Sequence, residues 1–173
     1  MSTNEKNNEQ SVSAKFSIKE FFTKKSLIFA GILSVISIVF AFIEGIPFIG
    51  FLFSLCFYLF FFLFGYIISY SQGYFSNKSK VIDAVKANLV VGIVPGLVYG
   101  FVSALIPKSY VFMGMTYWYN TFFLFSIFSG IFWCTLAIMA GTIVSVYLDK
   151  SMYPTQLIGI IEKISKILQN LVK

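Results

Sequence analysis

The chain alternates four long apolar segments with short polar ones. The apolar segments, at residues 26–43, 48–70, 87–106 and 121–148, each contain 18 or more residues. An α-helix rises about 1.5 Å per residue, so about 20 apolar residues cross the roughly 30 Å hydrocarbon core of a bilayer. The pattern therefore predicts an all-α polytopic integral membrane protein with four transmembrane helices.

The two ends of the chain are predicted to lie in the cytoplasm, each with an amphipathic helix. Residues 1–14 are polar and lack periodicity, which predicts a disordered tail. Residues 15–25 interleave Phe with Lys and predict a short interfacial helix, with a disordered basic flank as the alternative. Residues 155–173 carry Leu and Ile at heptad spacing and predict an amphipathic helix on the inner leaflet, with a short coiled coil as the alternative.

The third apolar segment carries a row of small residues. Gly92, Gly96 and Gly100 are spaced four apart, and Asn88 and Ala104 extend the row in both directions. Residues four apart lie on one helix face. The row therefore forms a groove without large side chains, where the backbone of another helix can approach and gain packing contacts.

The predicted partner of this groove is the small face of the fourth segment. That face includes Gly130, Ala137 and Gly141. The alternative is a symmetric contact with the third segment of a second copy, which the same residues would serve. The groove thus predicts either a tightly packed bundle or a homo-oligomer.

Pro95 lies inside the third segment. It has no N–H to donate to the carbonyl group of Val91, so it predicts a kink. Membrane helices tolerate proline for structural reasons, and we favour that interpretation. The alternative is a hinge.

Composition and charge support the membrane class and orient it. The chain is 58% hydrophobic and 12% charged, whereas soluble domains are about a quarter charged. Its net charge of +6 comes from lysine without arginine or histidine. Twelve lysines fall on the side of the two termini and only Lys108 on the other. This bias predicts a multi-pass protein of the cell membrane with cytoplasmic termini, in contact with anionic headgroups and not with nucleic acid.

The sequence lacks the residue pairs that most catalytic sites require. Without histidine there is no Ser-His or Cys-His nucleophile pair and no imidazole metal ligand. Cys56 and Cys134 lie singly in apolar runs and form no CxxC motif. No span contains a pair of acids, and no glycine-rich phosphate loop is present. We therefore expect no enzymatic activity, no cofactor and no bound metal.

Ionisable residues inside membranes mark ion pathways by default. The strongest candidate is Glu44, beside the turn between the first two segments and on the predicted side of Lys108. Our favoured interpretation is a solvated turn residue. The alternative is a polar or ion site that Glu44 forms with the hydroxyl groups of Tyr58 and Tyr66.

Three local features resemble uncharacterised small four-span membrane proteins of prokaryotes. They are PFIG at residues 47–50, FGYI at residues 64–67, and the glycine row with Pro95. The second segment departs from that resemblance because it is rich in phenylalanine. The resemblance implies a four-span fold and assigns no activity or functional residue.

Two functional hypotheses follow. The first is a non-enzymatic packing or scaffold component, self-associating or joined to another membrane protein through its small-residue faces. The second is a small transporter or pore, with Glu44, Tyr58 and Tyr66 lining a path and Pro95 acting as a hinge.

Overall fold

The computed structural model describes residues 22–46, 50–112, 115–119, 122–148 and 155–172. The predicted tail at 1–14 and most of the segment at 15–25 lie outside these residues. Five long helices are present in the described ranges: α1 (Lys24–Glu44), α2 (Gly50–Ser71), α3 (Val81–Leu105), α4 (Phe123–Tyr147) and α5 (Thr155–Val172).

The helices α1 to α4 are long and apolar enough to cross a membrane. This agrees with the predicted class of multi-pass membrane protein. The bounds differ in detail, most of all at α3, which begins at Val81 rather than at residue 87 and follows a 3-10 turn, Lys78–Lys80. The polar approach to the third span is therefore helical. The helix α4 has 25 residues rather than the predicted 28, which corresponds to about 37 Å.

The start of α1 is fixed by two hydroxyl groups. Thr23 caps the helix, since its Oγ1 accepts a hydrogen bond of 3.1 Å from the backbone N–H of Ser26. Ser26 Oγ in turn donates to the carbonyl oxygen of Ala87 at 2.7 Å. The first turn of α1 is thereby tied to the second turn of α3, and the two helices run parallel.

The four spans do not pack in chain order. Around the bundle the order is α1, α3, α4, α2, so that α2 and α3 lie diagonally opposite each other. The helices α1 and α3 end, and α2 and α4 begin, at the same end of the bundle, which we call the hairpin end. The tightest packing is between α3 and α4.

A short β-hairpin connects α3 and α4 in a fold that is otherwise helical, as predicted. The strands β1 (Lys108–Phe112) and β2 (Met115–Tyr119) pair antiparallel, with Lys108 opposite Tyr119 and Phe112 opposite Met115. The pattern of apolar and polar segments predicted no strand between the third and fourth spans. The signal of the hairpin was present, because two five-residue runs rich in aromatic and β-branched residues flank Met113 and Gly114.

The glycine row of α3 lies against α4 of the same chain. A methyl group added at Gly96 would lie 2.6 Å from the carbonyl oxygen of Gly130, and one at Gly100 would lie 2.5 Å from that of Ser126. One added at Gly92 would lie 2.6 Å from the Cα of Thr135. The two backbones therefore approach so closely that no side chain fits between them.

The remaining predicted packing residues are distributed over two contacts. Ala104 and Ala137 are half-buried. Gly141 lies against α2 rather than α3, because a Cβ there would collide with the carbonyl oxygen of Phe62. Gly65 of α2 is its counterpart, since a Cβ at Gly65 would meet the carbonyl oxygen of Ile138. The small residues of α4 thus serve two neighbours.

The helix α5 packs on α2, and its position on the inner leaflet stays a prediction. Ile161 is 7% exposed and Ser165 is 4% exposed. The Tyr70 hydroxyl group donates a hydrogen bond of 3.0 Å to Glu162 Oε1. Ile160 and Ile167 remain exposed on an adjacent side. One side of the apolar stripe therefore faces the bundle, and the other is free to face lipid.

We expect Gly96→Ala to destabilise the bundle and Gly31→Ala to stabilise it slightly. At Gly96 the new methyl group would force two backbones apart, at a cost of about 1–3 kcal/mol. Gly31 lies in α1 with open space around it, so alanine there should gain about 0.5–1 kcal/mol from helix propensity. The free energy of unfolding in mixed detergent micelles measures both. Equal effects of the two substitutions would show that the groove is not a contact.

Candidate functional site

A partly open cavity of about 190 Å³ lies at the hairpin end, where all four spans meet. Glu44 of α1 and Gly130 of α4 form part of its wall. Six further lining residues carry hydroxyl groups: Ser54, Tyr58, Tyr99, Ser103, Ser126 and Ser129. At about 10–15 Å³ of accessible volume per water, the space holds several waters or a small solute.

Glu44 is buried, which corrects the interpretation of a solvated turn residue. Only 7% of its surface is exposed. The reason is the order of the helices in the bundle. The helix α1 packs against α3 on one side and against α2 on the other. The predicted proximity of Glu44 to Lys108 involves a side chain outside those the structure describes.

The carboxyl group of Glu44 belongs to a hydrogen-bonded chain. Ser54 Oγ donates to Glu44 Oε1 at 2.5 Å. Tyr99 is hydrogen-bonded to Glu44, and Tyr58 is hydrogen-bonded to Tyr99. The carboxyl group of Glu44 thus accepts hydrogen bonds from hydroxyl groups of both α2 and α3.

The position of Glu44 is electrostatically unfavourable for the fold alone. It is the last residue of α1, where the helix dipole contributes a partial negative charge of roughly half an elementary charge. Burial removes water from the carboxylate and adds a further cost. Both effects make the site attractive to a cation, because a positive charge would interact with the carboxylate and with the end of the helix at once.

The floor of the cavity is apolar and closed. The ring of Tyr99 stacks on that of Phe57, with 4.3 Å between centroids. Phe57, Phe61 and Ile138 are fully buried in the centre of the bundle, as is Cys134. A layer of close-packed side chains therefore separates the cavity from the other end of the molecule.

A second polar cluster lies beyond that layer. Asn88 is fully buried, and its Nδ2 donates a hydrogen bond of 2.9 Å to Thr142 Oγ1. Thr142 Oγ1 donates to the carbonyl oxygen of Ile138 at 2.8 Å. Among the residues that the structure describes, none is a hydrogen-bond partner of Asn88 Oδ1. Asn88, predicted as part of a packing row, therefore also joins α3 to α4 by a side-chain hydrogen bond.

Tyr66 and Pro95 lie outside the Glu44 cavity. Tyr66 is two helical turns from Tyr58 and packs against the edge of Phe75, with 5.8 Å between centroids. The structure therefore brings Tyr58, but not Tyr66, to Glu44. Pro95 is fully buried, and α3 continues through it from Val81 to Leu105.

A third cavity, of about 360 Å³, lies at the end opposite the hairpin. Its lining includes Thr23, Tyr74, Lys80, Asp83 and Lys86. Burial, and then the negative charge of Asp83, raise the pKa of Tyr74 above its usual value. The wall of this cavity combines two lysines with one acid.

Sequence reasoning missed most of the residues around Glu44. Ser54 and Tyr99 lie in apolar runs where a single hydroxyl group is unremarkable. Their signal is positional, because they lie near the helix ends that meet at Glu44. This positional signal can be interpreted only once it is known that α1 packs against both α2 and α3.

Within the described ranges no three residues among His, Cys, Asp and Glu are grouped so that they could hold a metal ion. Comparison with protein-family models, curated proteins and solved structures finds no match to this chain. Function is therefore inferred from the residues of the bundle alone.

We expect Thr142→Val to destabilise the protein and the double variant with Asn88→Leu to recover part of the loss. The single substitution leaves the buried amide of Asn88 without its acceptor, whereas the double variant replaces both partners by apolar groups. Interhelical hydrogen bonds in membranes contribute about 0.6 kcal/mol on average and up to about 1.7 kcal/mol. A double-mutant cycle on the free energy of unfolding measures the coupling, and additive effects would contradict the bond.

Proposed function

We propose that this protein is a small transporter for monovalent cations, with Glu44 as the binding carboxylate. The observation that carries the proposal is a buried carboxylate in the wall of a hydroxyl-lined cavity at the junction of four apolar helices. Burying a charged group in such surroundings has a high free-energy cost, and such groups are typical of ion and proton pathways. Hydroxyl oxygens beside a carboxylate suit a small cation, because they replace part of its hydration shell.

The cavity, the apolar layer and the Asn88 cluster together support a gated path. The bundle axis passes from the hydroxyl-lined cavity through the layer around Phe61 and Ile138 to Asn88 and Thr142. Apolar constrictions of this kind gate by excluding water. Pro95 lies one turn from Tyr99 and removes a backbone hydrogen bond from α3. A bend there would move the Tyr99 ring away from Phe57 and open the floor.

The scaffold hypothesis rested on the small-residue faces and on the absence of charge within the spans, and it stays a prediction. In the structure Gly92, Gly96 and Gly100 contact α4 within one chain. A partner helix would have to displace α4 to reach them. We therefore favour the transporter over the packing component.

The cation proposal includes an orientation. We infer that both termini are cytoplasmic, because twelve of the thirteen lysines lie on their side. The hairpin end then faces the non-cytoplasmic side, and the Glu44 cavity receives its solute from outside the cell.

We expect a membrane-impermeant maleimide to label Thr116→Cys on intact cells and to leave Ser79→Cys unlabelled until the cells are opened. Thr116 belongs to β2, and Ser79 to the turn before α3. A Cys56→Ser background removes the exposed native thiol. The reverse labelling pattern would place the cavity in the cytoplasm and overturn the orientation.

We expect liposomes that contain the purified protein to accumulate radioactive sodium, rubidium or methylammonium above the level of empty liposomes. Glu44→Gln should weaken the apparent affinity at least about tenfold, since charged hydrogen-bonding partners contribute about 1.5–3 kcal/mol. Tyr99→Phe keeps the ring on Phe57 and should show a smaller loss.

The matched control is Asp83→Asn, which removes the same charge from the opposite end of the bundle. It should transport as the native protein does. The assignment would be refuted if none of these cations were taken up, or if Glu44→Gln left the uptake unchanged.

A further inference from the structure

An apolar cleft of about 270 Å³ separates α5 from the bundle. Leu63 and Tyr66 of α2, Val144 of α4, and Ile160 and Ile164 of α5 are among its lining residues. The lining of α2 lies within a candidate membrane span. The cleft is therefore at the level of the hydrocarbon core, near the end opposite the hairpin.

The exposure pattern of α5 defines three sides of that helix. At about 100° per residue, the buried pair Ile161 and Ser165 lies roughly 130° from the exposed pair Ile160 and Ile167. Glu162 and Lys166 occupy the remaining side and are exposed. The helix thus has a side on the bundle, an exposed apolar side suited to lipid and an exposed charged side suited to water.

The charges of α5 are arranged unequally around the cleft. The cleft-lining side of α5 is centred between Ile160 and Ile161. Lys163 lies roughly 110° from that centre, and Lys166 lies roughly 170° from it, nearly opposite. Lysine side chains extend their apolar stems and place the ammonium group among headgroups. Of these two lysines, Lys163 is therefore the one nearer to a phosphate at the mouth of the cleft.

We propose that the cleft binds one chain of an anionic membrane phospholipid, whose phosphate interacts with Lys163. The apolar lining takes the lipid chain, and Lys163 supplies the complementary charge at the membrane surface. The bound lipid fills the space between α5 and the bundle that protein side chains leave open. This site is separate from the Glu44 cavity and does not depend on cation transport.

Native mass spectrometry tests the site on the full chain purified in mild detergent. The protein is offered phosphatidylglycerol and phosphatidylcholine with identical chains. We expect one phosphatidylglycerol to be retained in preference to phosphatidylcholine. Lys163→Gln should abolish the preference, whereas Lys166→Gln, the matched control, should keep it.

Two variants test the cleft itself. Val144→Phe fills it from the bundle and Ile160→Trp fills it from exposed α5, so the second tests the site even where the first misfolds. Each should lower lipid retention about tenfold, or about 1.4 kcal/mol. Ile167→Trp, which adds the same bulk outside the cleft lining, should retain lipid normally.

Three results would overturn the proposal. The first is retention of both lipids to the same extent by the native chain. The second is native retention in Ile160→Trp, and the third is a dimer in place of the lipid-bound monomer, which would assign the cleft to a second copy.

Discussion

The backbone contact between α3 and α4 determines the rest of the bundle. In lipid the hydrophobic effect does not draw helices together, so close packing must supply the attraction. Gly96 and Gly130 make that possible, because each presents a bare backbone to the carbonyl oxygen of the other. Once α3 and α4 are joined, α1 packs on the outer side of α3 and α2 on that of α4. The cavity at Glu44 lies at the hairpin end, where the flanking helices α1 and α2 meet the joined pair α3 and α4.

The interior is arranged in layers along the bundle axis. Polar groups occur around Glu44 at the hairpin end and around Asn88 further along, with close-packed phenylalanine and isoleucine between them. Each polar group is held by a neighbouring helix, as Ser54 holds Glu44 and Thr142 holds Asn88. A fold that needed only to pack in lipid would not require a carboxylate at the C-terminal end of α1. This excess polarity is what distinguishes the site from ordinary helix packing.

Periodicity and length predicted four membrane-length helices, because each span is a long apolar run with polar ends. The glycine spacing likewise predicts a shared helix face, since residues four apart share a face whatever the tertiary structure. The order of helices around the bundle could not be read in the same way, and the burial of Glu44 depends on it. Gly141 illustrates the limit. Its spacing places it on the small face of α4, but only the position of α2 decides that it contacts Phe62. The hairpin at β1 and β2 was missed because aromatic residues beside a membrane also suit an interface loop.

The bundle order has a consequence for how the chain is made. The helices α1 and α2 leave the ribosome first, yet each makes most of its contacts with a helix that follows, α1 with α3 and α2 with α4. The hydroxyl group of Ser26 has no acceptor on α3 until Ala87 has been synthesised, and Gly65 has no backbone to meet until Ile138 arrives. The first half of the chain therefore gains most of its native contacts only when the second half, with its tightly packed pair α3 and α4, is present.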